Sequence, residues 1–130
     1  MTLVLDASAI FAALIDPSPL GTWARELAVA EHLAAPHLLP SEVANVLRRR
    51  AAAGQISEDT ATLAHADLLA MTIELVPYRV VAERAWTLRH NLAANDAWYV
   101  AVAELLDAPL ATLDHRLARS EGPRCRFLTP

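Results

Sequence analysis

The sequence predicts an α/β fold in which a parallel sheet is covered by helices on both faces. Short aliphatic runs of strand character alternate along the chain with longer stretches of helical spacing, the pattern left by strands joined through crossover helices. No repeat, low-complexity tract or linker breaks that alternation. At 130 residues and 55% hydrophobic content the chain is one domain's worth, residues 1–130, and too apolar for disorder.

Taken in order, Thr2 to Leu5 is a β-branched and aliphatic run stopped by Asp6, which suits a buried strand, and Ser8 to Ile15 continues as an apolar helix. Asp16-Pro17-Ser18-Pro19 has turn composition, and Gly21 to Ala30 resumes helical spacing with Trp23, Leu27 and Ala30 on one side. Ala34-Ala35-Pro36 reads as a short edge strand. Pro40-Ser41 opens a helix on which Val43, Val46, Leu47 and Arg50 keep helical spacing until about Gly54. Ser57, ahead of Glu58 and Asp59, is an N-cap with acidic residues in the first turn of a helix running to about Ala70. Thr72 to Val76 is a strand closed by Pro77, followed by a helix from about Val80 to Asn91. Asn95-Asp96 opens an apolar helix to about Asp107. Leu110 to Leu113 is a strand ending at Asp114, His115 to Arg119 a short helix, and Arg126 to Leu128 the last strand.

Composition removes several function classes. All 11 basic residues are Arg, which excludes a P-loop lysine, a Schiff-base lysine and the lysine of receiver domains. The three glycines, Gly21, Gly54 and Gly122, are too scattered for a phosphate-binding loop. Cys125 stands alone, so neither an internal disulfide nor a thiolate metal site is expected, in keeping with a reducing cytoplasm. The N-terminus lacks a secretory signal, and its apolar run from Ala9 to Ile15 is far short of the roughly 18 residues that span a bilayer, so a cytoplasmic protein without a membrane association is expected.

Of the 15 acidic residues, Glu26, Glu31, Glu58, Asp59, Glu83 and Glu121 suit a solvated helix face or loop, but four others stand out. Asp6 and Asp114 each follow a hydrophobic strand at its carboxyl end, where open parallel sheets gather their ligand sites. Were those strands neighbours, the two carboxylates would converge. Asp96 shares a helical face with Tyr99, Val100 and Ala103, which should face the core, and a carboxylate there is costly unless paired or metal-bound. Glu42, in the first turn of its helix and one turn before Val46, can also point inward. Carboxylates sharing one cleft repel one another and take up protons unless a divalent cation compensates them, and an all-oxygen site suits Mg²⁺ or Mn²⁺ rather than Zn²⁺. Each residue taken singly also has a plainer reading: Asp6, Asp114 and Asp96 as helix caps, Glu42 as a carboxylate at the positive end of a helix.

Four strings in order, LVLDASAI at Leu3 to Ile10, PSEVANVLRR at Pro40 to Arg49, NDAWYVAVAE at Asn95 to Glu104 and LATLDHRL at Leu110 to Leu117, resemble the PIN-domain ribonucleases, and most closely the VapC-type toxins of bacterial toxin–antitoxin pairs. The resemblance covers nearly the whole chain. It implies an α/β/α sandwich and hydrolysis of RNA phosphodiester bonds with Mg²⁺ or Mn²⁺, leaving 5′-phosphate and 3′-hydroxyl ends. Asp6, Glu42, Asp96 and Asp114 fall on the family's acidic positions, with Asp6, Asp96 and Asp114 on the metal and Glu42 holding it through water or orienting the nucleophile. Ser8 matches the hydroxyl residue that supports the metal site. One departure is that Ala93-Ala94-Asn95 precede Asp96, where many relatives carry a hydroxyl residue. The alternative is a catalytically inactive PIN-fold module that binds RNA or a regulatory partner.

A net charge of −4 looks unfavourable for a nucleic-acid enzyme, yet the four proposed site carboxylates account for all of it. Arg48, Arg49 and Arg50 form the densest basic cluster, on the helix that carries Glu42, and can guide RNA, grip an acidic partner or simply face solvent. With two Phe, three Trp and two Tyr, a base-stacking platform is not expected, and Trp23, Trp86 and Trp98 are assigned to core or interface. His32, His37, His65, His90 and His115 have no zinc-ligand spacing and read as surface or cap residues. The resemblance further implies a VapB-type antitoxin partner whose C-terminal segment blocks the cleft. The Ala- and Leu-rich stretches Phe11 to Ala30 and Val43 to Ala53 offer it an apolar groove, and the same apolar content suits a homodimer.

Overall fold

The computed structural model describes residues 1–29 and 32–130. The proposed helix end at Ala30 and the solvated Glu31 lie outside them. The elements run β1 (Thr2–Leu5), α1 (Ala7–Ile15), α2 (Pro19–Ala28), β2 (His32–Pro36), α3 (Leu39–Ala52), α4 (Glu58–Ala70), β3 (Ile73–Val76), α5 (Tyr78–Thr87), α6 (Ala94–Leu105), β4 (Leu110–Ala111), α7 (His115–Ala118) and β5 (Phe127–Leu128). The sheet is parallel throughout in the order β3-β2-β1-β4-β5, and helices flank it as the α/β reading predicts.

Local chemistry explains most boundaries. Ser57 caps α4 by accepting the Thr60 amide at 3.0 Å. Helix α3 ends at Gly54, whose φ of 73° lets the chain reverse while the amide of Gln55 reaches back to the Arg50 carbonyl at 2.9 Å. Gly21 is required by a close approach: a Cβ there would lie 1.7 Å from the Asp16 carbonyl oxygen.

One strand is misplaced by its local composition. The Ala34–Pro36 segment is not an edge: β2 begins at His32 and lies between β1 and β3. Pro36 sits at the last strand position and pairs only with Val76, past the final β1 partner, where its missing N–H interrupts no ladder.

The core lies along β1, where Leu3, Val4 and Leu5 are all buried, and α6 packs across β1, β2 and β4. Ala97, Ala101 and Ala103 let α6 approach the sheet closely while Val100 and Val102 fill the space between. Leu5 pairs with Ala111, and the Asp6 amide donates to the Ala111 carbonyl at 3.1 Å, so the carboxyl ends of β1 and β4 are level. Among the described residues no helix is long and apolar enough to cross a membrane.

Candidate active site

The sequence places Asp6 and Asp114 at the carboxyl ends of their strands and leaves their convergence conditional on strand order; β1 and β4 are neighbours, so the two leave the sheet side by side. Asp6 is the N-cap of α1 and is 8% exposed. Its Oδ1 accepts from the Ala9 amide at 3.0 Å and from the Ser8 hydroxyl at 2.6 Å, and its Oδ2 accepts from the Thr112 hydroxyl. Burial pushes its pKa up; the three hydrogen bonds oppose the rise and the charge of Asp114 adds to it. Asp114 is the N-cap of α7, its Oδ1 accepting from the amides of Arg116 at 2.9 Å and Leu117 at 3.2 Å. Both residues are therefore caps and members of the cluster together.

Glu42 points inward from the first turn of α3 and accepts from the Tyr99 hydroxyl at 2.7 Å. Burial raises its pKa, the Tyr99 bond lowers it, and the charges of Asp6 and Asp96 raise it again. Asp96 is not a cap. The N-cap of α6 is Ala93, which places Asp96 at the third helical position, with its pKa raised by burial and then by Asp114 and Asp6, while Arg116 opposes the rise. The four carboxylates thus share one electrostatic neighbourhood at the sheet's carboxyl end, and none is ion-paired to a basic side chain among the described residues. Beside them a cleft of about 170 Å³ is lined by Ala93, Asp96, Asp114, Arg116 and their neighbours.

The donor set is all carboxylate oxygen, which fits Mg²⁺ or Mn²⁺. As the side chains stand, no three Asp, Glu, His or Cys residues among those described gather tightly enough to hold a metal ion, and Asp114 in particular is turned onto its own helix. The residues fit a cation in kind, as oxygen donors, but as the side chains stand they do not enclose one.

Three site residues were not anticipated. Thr112 is wholly buried and bonds Asp6, Tyr99 supplies the donor that Glu42 needs, and Arg116 is the cation that moderates Asp96. Only Tyr99 carried a usable signal, since a tyrosine on a core face needs a partner for its hydroxyl. Arg48 and Arg49 are exposed on α3, with the Arg48 guanidinium held by Asn45 Oδ1 at 2.8 Å, while Arg50 stacks on Phe11. Trp23 and Trp98 pack against the core as expected, whereas Trp86 is 62% exposed.

The sequence pattern of the PIN domain matches residues 3–122. The chain belongs to the PIN-domain family. Among curated PIN-domain relatives, Ribonuclease VapC9 of Mycobacterium tuberculosis is 38% identical over 123 residues, covering 95% of this chain and 94% of that one. Among solved structures, PAE2754 from Pyrobaculum aerophilum superposes with a TM-score of 0.71 at 25% identity, covering 98% of this chain and 83% of that one. VapBC2 from Rickettsia felis, crystallised with a DNA fragment from its promoter, gives 0.66 at 14% identity over 99% and 98% of the two chains, a likeness of fold.

Proposed function

We propose that this PIN-domain protein is a Mg²⁺- or Mn²⁺-dependent endoribonuclease, the toxin of a toxin–antitoxin pair. The observation that carries the proposal is the meeting of four carboxylates from four separate segments in one neighbourhood, three of them with raised pKa values and none ion-paired to an arginine among the described residues. Such a cluster costs stability by itself, and a cation is what repays it.

Asp6, Asp96 and Asp114 would hold the cation, with Ser8 steadying Asp6 and Asp114 turning away from α7 to join them. A bound divalent cation lowers the pKa of water and neutralises charge that develops on the phosphodiester. Glu42, aimed by Tyr99, orients the attacking water and accepts its proton. Arg48 and Arg49 guide the RNA backbone along α3. The names of the VapC relatives support RNA as substrate and a VapB-type antitoxin as partner, and a homodimer and a cytoplasmic location go with that reading.

The open spacing of the carboxylates favours a second reading, an inactive PIN-fold module that binds RNA or a regulatory partner. Single-stranded RNA incubated with purified protein and Mn²⁺ decides between them. Cleavage that chelation stops and that Asp6→Asn abolishes, together with loss of growth arrest by the same variant expressed without antitoxin, supports the enzyme. Binding without cleavage, unchanged in Asp6→Asn, supports the module.

A further inference from the structure

We propose that Thr112 is a positioning residue that aims the Asp6 carboxylate and thereby sets the protein's affinity for its divalent cation. The proposal rests on the metal-dependent reading above. Thr112 follows the short strand β4 and is 0% exposed. A valine there would have almost the same shape and no polar atom to desolvate, so core packing alone favours valine. Asp6 and Thr112 are the buried polar residues of the described chain, and they are bonded to each other across 106 positions of sequence.

The direction of that bond follows from its neighbours. Thr112 Oγ1 accepts the amide proton of Asp114 at 2.9 Å, so the hydroxyl's own proton is directed to Asp6 Oδ2. Ser8 repeats the arrangement: its Oγ accepts from the Leu113 amide at 3.1 Å and donates to Asp6 Oδ1 at 2.6 Å. Two successive backbone amides after β4 thus each polarise a hydroxyl that points at one oxygen of the same carboxylate. Oδ1 also takes the Ala9 amide, which occupies both of its lone pairs. Among the described residues Oδ2 takes Thr112 alone and keeps one lone pair, so the oxygen left for a cation is the one whose orientation Thr112 decides. Both hydroxyls are neutral, so they orient the carboxylate while leaving its charge available.

The test is the Mn²⁺ midpoint of thermal stabilisation for the purified protein, read without RNA. Thr112→Val is expected to raise that midpoint by about tenfold or more, the usual effect of removing a group that orients a metal ligand. Thr112→Ser, which keeps the hydroxyl and drops the methyl, is expected to stay within about threefold of wild type. In an Asp6→Asn background Thr112→Val should add nothing, since it acts through Asp6. A wild-type midpoint retained in Thr112→Val overturns the proposal, whatever happens to its metal-free melting temperature. So does a Thr112→Ser midpoint displaced as far as that of Thr112→Val, which would assign the effect to the methyl group. If wild type itself shows no response to Mn²⁺, the metal-dependent reading fails and takes this proposal with it; a normal wild-type response with an unshifted Thr112→Val sinks this proposal alone.

Discussion

Helix α6 carries two partly buried carboxylates, Asp96 in its first turn and Glu104 near its end, and the protein treats them in opposite ways. Glu104 is clamped: the Arg84 guanidinium donates to it at 2.7 and 3.2 Å and the Arg124 amide at 2.7 Å. Burial pushes the Glu104 pKa up, but those donors outweigh it and the net shift is downward. Asp96 has no such clamp among the described residues, and burial with the charges of Asp114 and Asp6 moves it upward. The same residue class on one helix thus makes a structural staple at one end and a strained, charge-rich site at the other. An arginine fixes a carboxylate by cancelling its charge, whereas the hydroxyls of Ser8, Thr112 and Tyr99 fix Asp6 and Glu42 and leave their charge in place.

The comparison can be broken most forcefully with metal. At a hundredfold excess over its dissociation constant Mn²⁺ should stabilise wild type by about 2.7 kcal/mol, seen as a rise in melting temperature, and Asp96→Asn should lose most of that gain while Glu104→Gln keeps it. Equal responses from the two variants would end the distinction between the two ends of α6. Next in size, Arg84→Met should destabilise the protein by about 1–3 kcal/mol in chemical denaturation, because Glu104 loses its main donor. Adding Glu104→Gln should recover part of the loss.

Smaller effects sharpen the contrast. Without metal, Asp96→Asn should melt above wild type at neutral pH, since it removes repulsion. The pH dependences should have opposite signs. Asp6, Glu42 and Asp96 are raised, so in the metal-free protein their contribution to stability is fully present below the ordinary carboxylate pKa and is lost as pH rises through the raised values. Glu104 is lowered, so its contribution is present above the ordinary value and disappears as pH falls through the lowered one. Melting temperatures from about pH 3 to 8 should show Asp96→Asn flattening the first window and Glu104→Gln the second. Smallest of all, Tyr99→Phe should change stability by only about 1 kcal/mol, the worth of one hydrogen bond, yet lower the rate of RNA cleavage by releasing Glu42.

The amino-acid sequence by itself determined the alternation of strands and helices, the Ser57 cap, the stop at Gly54 and the four carboxylates, because each depends on residues within a turn or two of one another. Even the question of whether Asp6 is a cap or a site residue was posed locally, and the answer is that one oxygen caps α1 while the other accepts from Thr112. What only the tertiary structure decided was long-range. The interior place of β2 follows from which strands pair, and no local pattern in Ala34-Ala35-Pro36 encodes its neighbours. Thr112 looked like any residue at a strand end until β1 and β4 lay side by side and brought Asp6 to it, and Tyr99 met Glu42 only once α6 had crossed the sheet towards α3. Hydrogen bonds reach about 3 Å in space and carry no signature at sequence separations of 57 or 106 residues, so the folded chain alone shows which hydroxyl holds which carboxylate.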